Sequence, residues 1–190
     1  MSRELKLLKE LEQKCKNCAS CELHKTRNNI VFADGNPETA SIVLIGEAPG
    51  AKEDEKGLPF VGRAGELLND YLNEAGISRE KDLYILNIVK CRPPENRVPT
   101  KEEKAACRHF LTEQILTINP KLILLCGSTA MSEFLNTKKI TEVHGKKFDI
   151  KILNKTFKTM PILHPSPLCR YLDKKNVMVK DLLVAKNLIV

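Results

Sequence analysis

Short aliphatic runs recur along this chain, each followed by a stretch with helical spacing. Ser41–Ile45, Asp82–Val89 and Lys121–Leu125 are too short for helices and rich in Ile, Val and Leu. They are apolar almost throughout instead of alternating, as strands covered on both faces are. Between them, Arg63–Ala75 repeats apolar residues at helical spacing (Leu67, Leu68, Tyr71, Leu72) and meets a capping glycine at Gly76. Thr100 and Glu103 form a capping box that opens a helix running to about Ile118, where Asn119-Pro120 stops it. A short helix is predicted over Ser128–Leu135. Strand–helix alternation of this kind predicts an α/β fold, a three-layer α/β/α arrangement with a central, mostly parallel four-stranded sheet.

The flanking segments read more simply. Ser2 caps a helix from Arg3 to about Gln13, with Leu5, Leu8 and Leu11 on one stripe. Thr26–Thr39 holds the turn formers Asp34-Gly35 and Asn36-Pro37 and is expected to be loop, as is the charged stretch Ala51–Leu58. Lys146–Ile152 and Lys155–Pro161 are expected to pair as a hairpin around Asn154, with Ile162-Leu163 closing its second strand. The last helix is expected from about Val177.

At 190 residues the chain is expected to form one domain. Apolar stretches such as Leu122–Cys126 are far too short to span a bilayer, and charged Glu4, Lys6, Lys9 and Glu10 interrupt the N-terminal leucines. The expectation is a cytoplasmic protein, nucleoid-associated in a prokaryote or nuclear in a host with a nucleus, monomeric and without a membrane partner. A net charge of +7 favours a polyanionic partner, because Lys and Arg displace counterions from phosphates.

Seven cysteines are many for a reducing compartment, and the number is odd. Cys18 and Cys21 form a CxxC pair, and Cys91 and Cys107 lie far downstream. Four thiolates gathered this way suit a zinc ion or a four-iron cluster, and spacing does not choose between them. Cys15 overlaps the first pair, since Cys15 and Cys18 are also a CxxC. Cys126 ends an apolar strand and is expected to be buried and inert. Cys169 is expected to be a spectator.

Several motifs then occur in order: Cys18-x-x-Cys21-x-Leu23 with Arg27 beyond it, the segment Gly46 to Gly50, the segment Gly57 to Gly62, Asn87 to Pro94 with Lys90 and Cys91 inside it, and His164-Pro165. In this order and combination the chain resembles the family 4 uracil-DNA glycosylases, the iron–sulfur branch of the uracil-DNA glycosylase superfamily. The resemblance runs from about Cys18 to the last helix. It implies a 4Fe-4S cluster held by Cys18, Cys21, Cys91 and Cys107, with Cys15 outside the set. It also implies removal of uracil from single- or double-stranded DNA, leaving an abasic site.

A glycosylase extrudes its nucleotide into a pocket that must stack on the base, read an edge and stabilise the transition state. Phe60 is the stacking candidate. Asn87, a polar residue in an apolar run, offers a donor and an acceptor that match O4 and N3–H of uracil and oppose the pattern of cytosine. His164 is implied to face uracil O2 and to stabilise negative charge there. Gly46, Glu47 and Ala48 complete the substrate-binding set. Where the best-known branch has a water-activating Asp, this chain has Ala48. The acidic candidates are therefore Glu53, assigned to the water and the sugar, and Glu47, assigned to the pocket wall. Leu168 is the wedge candidate for the gap left by the flipped base, with Ser166 and Arg170 beside it on the DNA. Lys138, Lys139, Lys146, Lys147, Lys174 and Lys175 add basic charge.

Other functions fit parts of the same sequence. A superfamily member with another deaminated base as substrate would be separated by a panel of damaged oligonucleotides. A non-catalytic iron–sulfur DNA-binding module would bind DNA and release no uracil. A zinc-binding α/β protein would lack the broad absorbance of a thiolate-held cluster. The Arg63–Leu72 stretch lacks the basic insertion of relatives that bond covalently to DNA.

Overall fold

The computed structural model describes residues 2–136, 139–168 and 175–189. Five strands lie where the sequence patterning requires them, and a sixth is a surprise. Strand β1 is Asp34–Gly35, β2 Ile42–Gly46, β3 Leu83–Asn87, β4 Leu122–Cys126, β5 Phe148–Ile152 and β6 Lys155–Ile162. They form one sheet in the order β1-β3-β2-β4-β6-β5. The four central strands β3, β2, β4 and β6 run parallel, and β1 and β5 close the two edges antiparallel. The expected four-stranded sheet is thus the parallel centre of a six-stranded one. The hairpin β5–β6 joins through β6. β1 is a two-residue bridge within the segment expected to be loop; it forms because the open edge of β3 offers it backbone partners.

Side chains of the strands point alternately to the two faces and build separate cores. Ile42, Leu44, Leu83, Ile85, Leu122 and Leu124 face one way, and Val43, Ile45, Tyr84, Leu86, Ile123 and Leu125 the other. Helix α3 (Arg63–Glu74) covers the first face with Leu68, Tyr71 and Leu72, together with α9 (Lys175–Asn187) through Met178 and Leu182. Helix α5 (Lys101–Ile118) covers the second with Leu111 and Ile115, and Leu8 of α1 (Arg3–Lys16) joins it. This is the expected three-layer arrangement.

The helix signals are realised as bonds. Ser2 Oγ accepts from Leu5 N at 3.2 Å, and both bonds of the Thr100–Glu103 capping box are present. Asn119 ends α5 at φ 50°, and Gly76 takes φ +67° behind α3. Two further expectations fail. Ala51–Leu58 is not all loop: Ala51–Lys56 folds as α2, capped by Gly50 with Glu53 and Asp54 in its first turn, and Asp54 is buried against Asn28 and Asn29. The helix expected over Ser128–Leu135 shortens to α6, Ser128–Ser132. Three further short helices are α4 (Arg79–Asp82), α7 (Ile140–Val143) and α8 (Pro165–Leu168). Among the described residues no helix is long and apolar enough to cross a membrane.

The two leucines Leu124 and Leu153 separate core from surface. Leu124 is fully buried and Leu153, at the hairpin turn, is 67% exposed. Leu124→Ala is expected to destabilise the protein by about 2–5 kcal/mol. Leu153→Ala is expected to stay within about 0.5 kcal/mol. Urea denaturation midpoints check this, and equal shifts for the two variants contradict the placement of the core.

Candidate active site

In a parallel sheet the carboxyl ends of the strands share one edge, where ligands bind. Here β2 ends at Gly46, β3 at Asn87, β4 at Cys126 and β6 at Ile162, two residues before His164. The register pairs Gly46 with Asn87 directly. A cleft of about 590 Å³ opens at this edge, and Glu47, Ala48, Glu53, Phe60, Asn87 and His164 all line it, with Ser166 at its rim.

Gly46 packs directly against two of these lining residues. A Cβ added there would stand 2.5 Å from Asn87 Oδ1 and 2.8 Å from Phe60 Cε2 and Cζ. The aromatic face and the amide therefore meet over a residue without a side chain. The Phe60 and His164 rings lie 6.1 Å apart between centroids, inclined at 35°. Asn87 is 2% exposed, and no described group hydrogen-bonds its side-chain amide. That amide opens onto the cleft, where water or a ligand can partner it.

The His164 hydrogen bond identifies its tautomer. Ser166 N–H donates to Nδ1 at 3.2 Å, so Nδ1 is the unprotonated acceptor and Nε2 carries the hydrogen. Burial holds its pKa below the usual histidine range, although the charges of Glu47 and Glu53 pull it the other way. At neutral pH the ring is neutral, with one N–H to offer.

The two carboxylates differ. Glu53 Oε1 accepts from Val61 N at 2.9 Å and Gly62 N at 2.8 Å, which pins the loop between α2 and α3. That loop holds Phe60 at φ 52°, a left-handed conformation that costs an aromatic residue on the order of 1–3 kcal/mol and persists only where its surroundings enforce it. Glu47 accepts from Val89 N through its backbone carbonyl at 3.4 Å, and its carboxylate has no hydrogen-bond or ion-pair partner among the described residues.

Of the expected DNA-contacting residues, Ser166 is exposed in α8. The side chain of Leu168 lies outside the described residues, as do Arg170, Cys169, Lys138 and Lys174. Lys175 pairs with Glu74 at 2.8 Å. The cleft also takes in Arg63, Asn96, Arg97, Ser128 and Thr129, which patterning missed. Cys126 is buried as expected, with its sulfur 3.9 Å from Leu163 O.

Five other cysteines gather away from the cleft. Cys18, Cys21, Cys91 and Cys107 line one cavity, and Cys15 is its fifth thiol. Among the described residues, no three candidate ligands already close on a single ion. Two cations attend the thiols. Arg27 Nη1 donates to Cys91 Sγ at 3.1 Å and its Nη2 to Lys16 O at 3.1 Å. Lys90 is 1% exposed, lines the same cavity, and donates from Nζ to Asn87 O at 2.9 Å. Burial pulls its pKa down to about 8, against the pull of the Cys107 and Cys15 sulfurs. Among the described residues no carboxylate pairs with it. A buried ammonium needs a negative partner, and metal-bound thiolates are one. The residues present thus fit a thiolate-ligated metal group.

Comparison with known proteins agrees with this geometry. Residues 32–186 match the family model described as the uracil DNA glycosylase superfamily. The chain is 47% identical to a type-4 uracil-DNA glycosylase of Thermotoga maritima, covering 96% of this chain and 95% of that protein. It is 42% identical to a type-4 enzyme of Archaeoglobus fulgidus over 84% of this chain and 81% of that protein, and 38% identical to one of Pyrobaculum aerophilum over 92% and 91%.

NMR of the His164 ring tests the site independently of any reaction. Its pKa is expected below the ordinary value of about 6.5, with nitrogen shifts of the Nε2–H tautomer above it. A ring that is half protonated above pH 6.5, or that carries its hydrogen on Nδ1, contradicts the hydrogen bond from Ser166.

Proposed function

The chain belongs to the uracil-DNA glycosylase superfamily, and from that footing we propose that it excises uracil from DNA by hydrolysing the bond between base and deoxyribose. The observation that carries this is the convergence of Phe60, Asn87 and His164 on one cleft over Gly46. The flipped uracil stacks on Phe60. The free Asn87 amide takes N3–H on its oxygen and gives a hydrogen to O4, a pairing that cytosine reverses.

Breaking the N-glycosidic bond sends its electron pair into the uracil ring and leaves positive charge on the sugar. The Nε2–H of neutral His164 points its dipole at O2, where negative charge grows, so it stabilises the transition state more than the bound substrate. Water adds at C1′, and the departing base takes up a proton. Patterning assigned the water to Glu53 and the pocket wall to Glu47. The hydrogen bonds favour an exchange of emphasis: Glu53 Oε1 is committed to the loop backbone, whereas Glu47 has both oxygens free to orient water and to offset the charge on the sugar.

Cys18, Cys21, Cys91 and Cys107 would hold a 4Fe-4S cluster that, when bound, ties the turn after α1, the segment after β3 and α5 together as a structural clasp. Lys90 then links that clasp to the backbone of Asn87. The protein acts as a cytoplasmic monomer, and Ser166, Leu168 and Arg170 are its DNA-contacting residues by the sequence assignment.

Incubation with a uracil-containing oligonucleotide, followed by alkali, is expected to cut the strand at the uracil and nowhere else; an uncut strand removes the proposal. In single-turnover assays Glu47→Gln is expected to slow excision by about 10²-fold. A wild-type rate for Glu47→Gln returns the water to Glu53. The rate is also expected to hold as pH falls through the ordinary histidine range and to drop only below it, since protonating Nδ1 breaks the Ser166 bond. A rate that rises as His164 gains its proton would show the charged ring to be the active form.

A further inference from the structure

The Phe60 loop is gripped from two sides, and only one of them faces the cleft. On the cleft side Glu53 takes the N–H groups of Val61 and Gly62. On the other side the two preceding carbonyls are held by a single guanidinium. Arg79 Nη2 donates to Pro59 O at 2.7 Å, and Nη1 donates to Phe60 O at 3.0 Å.

That guanidinium is itself fixed by two further elements. Its Nη1 donates to Asn69 Oδ1 of α3 at 2.9 Å, and its Nε donates to Asp34 Oδ2 of β1 at 2.9 Å, within an ion pair whose Nη2 stands 2.8 Å from the same oxygen. The side chain is 17% exposed and does not line the cleft. A Cβ at Gly65 would run into the Phe60 carbonyl that Arg79 binds, so α3 and the guanidinium crowd the same oxygen.

We propose that Arg79 is a positioning residue for uracil: by fixing the carbonyls of Pro59 and Phe60 it sets the left-handed backbone at Phe60, and so the tilt of the ring on which the base stacks. The inference rests on the stacking role proposed for Phe60. Only arginine satisfies four acceptors from one planar fork; lysine keeps the charge but cannot span both carbonyls and Asn69 together. Asp34, in the two-residue strand, thereby acquires a purpose: it holds the guanidinium against the loop.

Arg79→Lys and Arg79→Gln, prepared as cluster-containing protein, test this. Single-turnover excision of uracil is expected to fall by about ten- to a hundredfold, the scale of a small misplacement of a reacting group. Inhibition by free uracil is expected to weaken by a similar factor, while affinity for an oligonucleotide carrying a stable abasic analogue stays within about twofold, the base being absent from that ligand. A purely structural arginine would lower the melting temperature and leave uracil inhibition unchanged below it.

Rates within twofold of wild type, or a loss of abasic-site affinity in step with the rate, overturn the proposal. Should neither variant fold, Asn69→Ala removes one bond of the same guanidinium and is read by the same three measurements. Wild-type protein that releases no uracil refutes the underlying reaction instead, which keeps the two failures apart.

Discussion

At Gly46 three segments come so close that no side chain fits among them. The end of β2, the Asn87 amide and the Phe60 ring share that space, and the register that pairs Gly46 with Asn87 enforces the contact. A glycine is therefore a geometric requirement of the cleft, unrelated to backbone freedom. The parallel centre of the sheet does the rest. Because β2, β3, β4 and β6 all point the same way, their ends deliver a glycine, an amide, a thiol wall and an imidazole to one edge. Parallel strands with helices on both faces carry their chemistry where the strands stop.

The cleft and the thiol cavity are two ends of one segment. Asn87 ends β3, Lys90 reaches back to its carbonyl, and Cys91 follows at once. A thiolate-held metal group there would compensate the buried ammonium, which in turn holds the backbone carbonyl of Asn87, whose amide lines the cleft. Arg27 adds a second cation and ties Cys91 to the last turn of α1. One short stretch of chain, from Asn87 to Cys91, thus connects the thiol cavity mechanically to the cleft.

What was legible in the sequence follows from what short patterns encode. Unbroken aliphatic runs announced β2, β3 and β4, Asn87 stood out as an amide inside one of them, and His164 came from the family resemblance. The capping box announced the start of α5 to the residue. Asp34-Gly35 read as a turn because two residues carry no pattern; they pair only because β3 has a free edge. The helix Ala51–Lys56 hid behind its charges, since burial of Asp54 depends on Asn28 and Asn29 far upstream. Arg79 was invisible for a related reason. Two of its partners are backbone carbonyls, and no residue type marks a carbonyl that needs a donor. The committed oxygen of Glu53 was hidden in the same way, while the acidic candidates themselves were found.

The thiols lining the metal cavity come from α1 and the turn after it, from the segment after β3, and from α5. During synthesis the chain emerges N-terminus first. The earliest thiols must wait on the ribosome until Cys107 has appeared, and the set is then complete while β6 and His164 are still unmade. A metal group held by Cys18, Cys21, Cys91 and Cys107 would need nothing made after α5, whereas the cleft waits for β6 and for His164 beyond it.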